Sequence, residues 1–508
     1  MRKALVIGCA MAAMFMQTLD QTIANVALPP MQGSMAASRD QISWVLTSYI
    51  IASAIMTAPV GWLAARFGKR RIIFLSVVGF TVASAMCGAA QSLEQVVLFR
   101  LLQGAFGAAL GPLSQTIMID MNPPEKRASV MGIWGMGVML GPILGPTLGG
   151  LLTDAYSWRW VFYINVPVGI VAAFGLITLY EDTGNDKSMR FDWFGFTLLA
   201  VALGSLQLML DRGSEKDWFS STEINLECVI GVLGLYLFIV HMVTAKNPFI
   251  RKEIFKDRNF VSSSLLIFVT GGLLVASSAL LPPYLQTLGG YSVTSAGLLM
   301  VPRGLGTMLT MAVVGRIATR FDARYVITVG AGTLLWSMWE MSTWTPAVSI
   351  WTMSWVGFLQ GFGMGFIFVP MNLIAFSTIA ADVRTDASAV MNLLRNIGAA
   401  IAVSVTTAVL TYSTHVMHAE MAANVTPFNR ALGVNAPSMM WSPQMPFGLQ
   451  QLNAVIDANA AQIAYSNDFL FMFYFSLPVL VLVWVLKKPN LGGQQMAAQK
   501  PRELHVPE

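Results

Sequence analysis

Apolar runs recur along almost the whole chain, and they restrict its fold more than any other feature. A helix of about 20 apolar residues spans the roughly 30 Å hydrocarbon core of a bilayer. Inside that core only helices and closed barrels satisfy every backbone polar group. Charged residues occupy 11% of the 508 positions, whereas a soluble domain carries about 25%. The sequence therefore predicts an all-α polytopic membrane protein, with lipid around it and no indication of a nucleic-acid partner.

We predict fourteen transmembrane spans, numbered in chain order. They cover residues 4–29, 42–65, 72–91, 95–119, 128–152, 160–180, 193–211, 225–245, 260–286, 293–315, 324–343, 348–377, 386–412 and 467–486. Short cytoplasmic loops of membrane proteins carry an excess of Lys and Arg. With both termini in the cytoplasm, 23 of the 31 Lys and Arg residues fall on that side, 5 on the outer side and 3 within spans. This asymmetry supports an even number of spans.

Three short strings recur at offsets of 253 to 257 residues: LPP at 28 and 281, GxxAxRFxxR at 61 and 315, and LQG at 102 and 359. Their common order and offset predict two parallel six-helix halves, an arrangement in which the binding site lies between the halves. The predicted domains are a six-helix bundle at 1–190, two inserted helices with linkers at 191–258, a second bundle at 259–488 including an outer loop at 413–466, and a disordered cytoplasmic tail at 489–508.

Asp20 lies inside the apolar first span, where an ionisable group is costly and usually faces a cavity. A rise of about 1.5 Å per residue places Asp20 and Arg100 at similar depth in the outer half of the membrane. A carboxylate between a cavity and an arginine can exchange protons near neutral pH, so we predict a proton-coupling pair. The alternatives are that Asp20 is a fixed structural partner of Arg100, and that Arg100 extends its side chain to the outer interface.

Three other ionisable residues within spans are candidates for a second ionisable site: Glu340, Arg303 and Arg395. Trp336, Trp339 and Trp344 surround Glu340 and are typical of an outer aromatic belt, which favours an interfacial position for this carboxylate. Arg303 and Arg395 are predicted deeper, either lining the cavity or stabilising a helix break.

Span 5 carries a glycine at every fourth position and two Gly-Pro steps. Such a face lets a neighbouring helix approach closely, and the prolines remove backbone donors and bend the helix. We predict a flexing packing face, and the alternative is an ordinary small-residue contact. Its residues are Gly137, Gly141, Pro142, Gly145, Pro146, Gly149 and Gly150.

The loop at 61–71 joins spans 2 and 3 in the cytoplasm. Its simplest interpretation is a basic anchor, and the alternative is a charged latch between the halves, in which Arg66 or Arg70 pairs with Asp120. The candidate gate comprises Gly61, Arg66, Gly68, Arg70, Arg71 and Asp120.

Span 12 is rich in Phe and Met, side chains that suit a cavity accepting varied apolar shapes. Ordinary packing is the alternative for each residue. The candidate cavity residues are Gln17, Asn25, Gln103, Gln115, Tyr284, Gln286, Gln360, Phe362, Met364, Phe366 and Asn372. The chain has no GxxxxGK[ST] phosphate loop and no metal-type His/Cys cluster. We therefore predict no cofactor or metal, and a proton gradient rather than ATP hydrolysis as the energy source.

Together these strings resemble the major facilitator superfamily, in particular its fourteen-helix drug:proton antiporter branch. The resemblance rests on LDxTIxNVALP at 19–29, the 61–71 loop, Arg100 with Gln103-Gly104, GPxxGPxxGG at 141–150, and WRWxFxxNxPxG at 158–169. Within the branch, LDRGxExDWFSS at 210–221 is similar to the EmrB type. One departure is Ala65, because the superfamily loop usually has Asp at that position.

The resemblance implies alternating-access efflux of hydrophobic or cationic drugs in exchange for protons, across a bacterial inner membrane. It also implies a tripartite pump with a periplasmic adaptor of EmrA type and an outer-membrane channel of TolC type. Two other functions remain open: export of one endogenous metabolite or siderophore, and a receptor or scaffold that transports nothing.

Overall fold

The computed structural model describes residues 2–181, 190–213, 216–245, 248–380, 383–425 and 446–486. The regular secondary structure of these residues is entirely helical. The helices are α1 (Arg2–Ser34), α2 (Arg39–Thr57), α3 (Val60–Phe67), α4 (Lys69–Ala89), α5 (Leu93–Gly107), α6 (Leu110–Asp120), α7 (Pro124–Ala155), α8 (Trp160–Tyr163), α9 (Asn165–Leu179), α10 (Trp193–Arg212), α11 (Thr222–Thr244), α12 (Glu253–Lys256), α13 (Arg258–Thr287), α14 (Val293–Arg320), α15 (Ala323–Ser342), α16 (Ile350–Ser377), α17 (Arg384–Ala423) and α18 (Pro446–Val485).

These helices correspond to the fourteen predicted spans. Within the described residues, eleven helical segments are long and apolar enough to cross a membrane, and two bent pairs raise the number to thirteen. One bend, of 55°, separates α2 from α3, and the other, of 41°, lies within α7 between Gly145 and Thr147. α15 corresponds to the remaining predicted span but is not among these thirteen; its 20 residues include Arg324 and Glu340.

The first helix ends later than predicted. The string Leu28-Pro29-Pro30 does not close it, because α1 continues through both prolines to Ser34. Proline is tolerated inside membrane helices where the surroundings satisfy the freed carbonyls. The segment at 413–466, which we interpret from the sequence as a partly helical outer loop, is helical at both ends, since α17 extends to Ala423 and α18 begins at Pro446. The intervening 426–445, the linker at 182–189 and the tail from 487 onward lie outside the described residues.

The face that we call the basic face contains the first residue of α1 and the last residues of α9 and α18. The Arg2 Nε donates to the carbonyl of Leu179, and the Arg258 Nε donates to that of Val485. The last residue of α6 and the first residue of α17 lie on the same face, since Asp120 contacts Arg384. These positions follow the alternation of span directions that the sequence predicted.

The two inserted helices lie at the side of the molecule. α11 packs against α10, and α10 packs against α2 and α17, which belong to different predicted halves. The Thr47 hydroxyl of α2 donates to Asp211, and the Ser404 hydroxyl of α17 donates to the carbonyl of Leu210. The end of α10 is therefore attached to both halves.

One face of α1 changes from buried to exposed along the helix. Met14, Gln17, Gln21 and Asn25 follow one another at helical spacing and share this face. The first two are buried and the last two are exposed. The halves are in contact near the basic face through Asp120 and Arg384, and the part of the α1 face farther from it is exposed.

Candidate functional site

Asp20 and Arg100 form a fully buried ion pair. The Nη1 atom of Arg100 lies 2.6 Å from Oδ2 of Asp20, and the two side chains are 1% and 0% exposed. The other carboxylate oxygen accepts hydrogen bonds from Gln103 Nε2 at 2.8 Å and Asn165 Nδ2 at 3.0 Å. The structure therefore brings together the two charged residues that the sequence placed at similar depth. The Asp20 carboxylate accepts hydrogen bonds from three donors.

A second group of contacts fixes the guanidinium of Arg100. Its Nε donates to the carbonyl of Val45 at 3.0 Å, and its Nη1 also donates to Gln103 Oε1 at 2.8 Å. The guanidinium carbon lies 4.3 Å from the centre of the Tyr49 ring, a distance at which an aromatic face attracts a cation. Five helices, α1, α2, α4, α5 and α9, thus meet at one charge pair, with α4 reached through the Asn165–Ser84 hydrogen bond.

The glycine face of α7 packs directly against the part of α1 that carries Asp20. A Cβ atom at Gly141 would lie 2.5 Å from the backbone carbon of Thr18, and one at Gly149 would lie 3.0 Å from the Ile23 side chain. The Thr22 hydroxyl donates to the carbonyl of Gly141 at 3.0 Å. This geometry explains the four-residue repeat. The side chain of Pro146 lies outside the described part. Its backbone lies at the 41° bend within α7.

Replacing Gly145 with Ala is expected to destabilise the protein. The added methyl would contact the Thr22 side chain, with its Cβ 2.9 Å away, and overpacking of this kind typically costs about 1–3 kcal/mol. The matched control is Gly8→Ala on α1, whose Cβ would have nothing within 4 Å. Thermal unfolding in detergent should show a lower midpoint for Gly145→Ala only; equal midpoints for both variants would contradict close helix contact.

The two halves meet at a buried polar network. Gln115 of α6 donates through Nε2 to Asn372 of α16 at 2.8 Å, and the Ser388 hydroxyl of α17 donates to Gln115 Oε1 at 2.6 Å. Gln115 and Asn372 are separated by 257 residues, the same offset as the LQG repeat. Two repeat-equivalent residues in direct contact must lie close to the axis that relates the halves.

Asp120 contacts Lys69 and Arg384 at the basic face, and its contact with Arg384 connects the halves. Its Oδ2 lies 2.6 Å from Nζ of Lys69, and its Oδ1 lies 2.9 Å from Nη1 of Arg384. Arg70 instead donates to the carbonyl of Ile177. Of the two arginines proposed for Asp120, Arg70 is therefore directed elsewhere, and Lys69, which begins α4, is directed at the end of α6.

Gly61 lies where α3 meets the first turn of α17. A Cβ at this position would overlap the side chain of Asp386, so only glycine permits the approach. Asp386 also lies 3.2 Å from Nε of Arg251. In this chain, which has Ala65 in the loop, a carboxylate at this junction comes from α17. Gly68 ends α3 with a φ of 91°, a conformation that glycine adopts without strain.

The predicted cavity residues separate into five groups. Gln17 and Asn25 lie on one face of α1, the first buried and the second exposed, and Gln115 and Asn372 join the halves. Gln103 belongs to the Asp20 pair rather than to a cavity. Tyr284 is buried among aromatic rings, and Gln286 is half-buried near the end of α13. The remaining residues pack among the helices of the second half because glycines bring α14, α15 and α16 together: Gln360, Phe362, Met364 and Phe366.

The candidates for a second ionisable site do not form one. Arg303 is buried and donates to the carbonyl of Leu274 and the hydroxyl of Ser277, at 3.0 and 2.8 Å. Arg395 donates to Asn392 Oδ1 at 2.7 Å. Glu340 is half-buried on α15. Both arginines therefore stabilise helix contacts in the described structure.

Sequence reasoning missed two residues. Asn165 donates to Asp20; its only sequence signals were an amide within an apolar span and its place in the WRWxFxxNxPxG string. Asp468 of α18 is a fully buried carboxylate that was not among the candidate residues. Its position at the predicted edge of span 14 concealed it. Among the described residues, no group of three or more His, Cys, Asp or Glu residues could hold a metal ion.

Comparison with known proteins is consistent with this architecture. Residues 10–403 match the Major Facilitator Superfamily. The chain belongs to the major facilitator superfamily. This superfamily comprises membrane transporters, so the chain is a multi-pass transporter, and the predicted fold and family resemblance are confirmed.

Individual relatives match nearly the whole chain. The chain is 36% identical to the multidrug export protein EmrB of Escherichia coli K12, over 95% of this chain and 94% of the relative. It is 32% identical to the fatty acid resistance protein FarB of Neisseria gonorrhoeae, over 95% of each chain. Among superfamily structures, that of the human organic anion transporter MFSD10 aligns with a TM-score of 0.60 at 14% identity, over 93% of this chain and 99% of that one. This last similarity shows the fold alone.

Proposed function

We propose that this chain is a proton-coupled multidrug exporter of a bacterial inner membrane that works by alternating access. The observation that carries the proposal is the buried Asp20–Arg100 pair, which lies against the glycine face of α7. The relatives named for multidrug export support the substrate class. The basic face is assigned to the cytoplasm, together with both termini, because Lys and Arg favour that side.

Proton coupling follows from the chemistry of the pair. A proton on Asp20 would remove the counter-charge of Arg100, and leaving one member of a buried pair uncompensated costs about 3–5 kcal/mol. That free energy favours a conformation in which α1 and α5 move apart. Because α1 packs on α7 through Gly141 and Gly145, and α7 packs on α14 of the other half, movement of α1 is transmitted across the interface.

We assign the described conformation to a state that opens away from the basic face, because Gln21 and Asn25 on α1 are exposed while Gln17 is buried. A drug released from it would therefore leave on the outer side. On that outer side we place a periplasmic adaptor of EmrA type and an outer-membrane channel of TolC type. The extended ends of α17 and α18 form a surface for the adaptor, joined by the contact of His418 Nε2 with Asn453 Oδ1 at 3.1 Å.

Shortening both extensions should abolish co-purification with such an adaptor. Unchanged co-purification would show that the adaptor does not bind to this surface.

Reconstituted vesicles with an imposed pH gradient test the function. A lipophilic fluorescent cation should be transported against its own gradient while protons move in the opposite direction. Protein-free vesicles are the control for leakage. Transport that is independent of the pH gradient would refute coupling, and an absence of any flux would favour a receptor or scaffold. A panel of structurally unrelated compounds separates a multidrug exporter from a dedicated exporter of one metabolite or siderophore, which would move a single member.

A further inference from the structure

Asp468 is buried in a way that differs fundamentally from Asp20. It lies on α18, within the predicted C-terminal bundle, and its side chain is 0% exposed. Neither carboxylate oxygen has a hydrogen-bond partner among the described residues, and no cation of the described chain lies within 4.0 Å of it. Asp20, by contrast, has an arginine and two amide donors. One conformation thus contains one compensated and one uncompensated buried carboxylate.

The neighbourhood of Asp468 on α18 is aromatic. Tyr465 and Phe469, on the same helix, pack against Tyr284 of α13 with ring centres 5.3 and 6.3 Å apart. Trp344 completes the cluster at 6.1 Å from Tyr284 and 6.4 Å from Phe469. Such surroundings solvate an anion poorly, and an isolated buried carboxylate takes up a proton rather than remain charged.

The helices packed against α18 are α13, α15 and α17, and none of them compensates the charge. α13 contributes the phenol of Tyr284. α15 contributes Glu340, half-buried, and Arg324, which lies at the basic face over Trp484. α17 contributes Arg395, which is bonded to Asn392, and His415, His418 and Glu420 in its outer extension.

We propose that Asp468 binds a proton in this conformation and is a second protonation site, in the C-terminal bundle, of the transport cycle. The step is simple: the carboxylate accepts one proton from water and becomes a neutral carboxylic acid, with no other reactant. In the state where Asp20 is ionised and paired with Arg100, Asp468 holds its proton. The part of this proposal that concerns the cycle rests on the proposed proton coupling, whereas the protonation itself does not.

Infrared difference spectroscopy of the purified protein tests the protonation directly. The wild type should show a carboxylic-acid carbonyl band at neutral pH that disappears in Asp468→Asn and persists in Asp20→Asn. Asp468→Glu should keep a band at a shifted frequency, which shows that loss in the Asn variant is not caused by misfolding. Absence of the wild-type band, or its appearance only near the ordinary aspartate pKa of about 3.9, would overturn the proposal.

Counting protons in vesicles tests the role in the cycle. Asp468→Asn should move fewer protons per drug than the wild type. An unchanged ratio, together with the infrared band, would overturn the role in the cycle while the protonation stands. Failure of the wild type to couple drug and proton movement would count against the proposed function alone, since the infrared result is independent of transport.

Discussion

Asp20→Asn is expected to abolish drug transport driven by a pH gradient while preserving exchange of drug for drug across the membrane. The amide cannot take up or release the coupling proton, but it resembles the neutral carboxylic acid in size. The groups around Asp20 limit how well the protein tolerates the amide. An amide offers one acceptor oxygen where the carboxylate receives Arg100, Gln103 and Asn165, so the buried guanidinium loses its counter-charge.

The measurement uses proteoliposomes with an acid interior or exterior, and compares gradient-driven uptake with counterflow at equal pH. Asp154→Asn is the matched control, because this exposed carboxylate of α7 undergoes the same chemical change outside the buried pair. Gel filtration of the detergent-solubilised protein checks that both variants remain folded. Gradient-driven uptake by Asp20→Asn at the wild-type rate would show that Asp20 is only a structural partner of Arg100.

Arg384→Gln is expected to open the basic face, whereas Lys69→Gln is expected to leave it closed. Both substitutions remove one cation from Asp120, but only Arg384 connects the predicted halves. A hydrogen bond to a charged group contributes about 1.5–3 kcal/mol. Because each 1.4 kcal/mol corresponds to about a tenfold change in an equilibrium constant, loss of this contact shifts the population by roughly ten- to a hundredfold.

Labelling of a buried cysteine reports this shift. Ser388→Cys is suitable because Ser388 is fully buried between the halves, and Cys9, Cys87 and Cys228 are first replaced. An impermeant thiol reagent applied to the basic face should label the Arg384→Gln protein faster than the protein with Arg384 intact. Equal labelling of the Lys69→Gln and Arg384→Gln proteins would mean that the contact with Arg384 does not hold the halves together.

Depth in the membrane was predictable from the sequence, because lipid imposes simple rules on it. Backbone polar groups in hydrocarbon must be satisfied within a helix, so apolar runs located the spans. The constant rise of a helix then placed Asp20 level with Arg100. The same reasoning predicted the close contact of the span 5 glycines with a neighbour, although not that the neighbour is α1.

Lateral position was not predictable, because it depends on packing between helices that are distant in sequence. Nothing in the region around Asn165 indicates that the start of α9 lies beside Asp20. Lys69 and Arg70 differ by one position, and the turn made by Gly68 decides which of them reaches Asp120. Asp468 was overlooked because hydropathy cannot distinguish a carboxylate at the membrane interface from one that a long helix such as α18 buries against its neighbours.

The position of α10 has a consequence for solutes dissolved in the lipid. α10 lies beside α2 and α17 and is fastened to both at Leu210 and Asp211, so it covers the seam where the two halves adjoin on that flank. If the protein exports lipophilic compounds as proposed, a molecule diffusing sideways within a leaflet meets α10 on that flank. The two additional helices would thus screen this side of the interface, and membrane-dissolved compounds would have to enter from another flank.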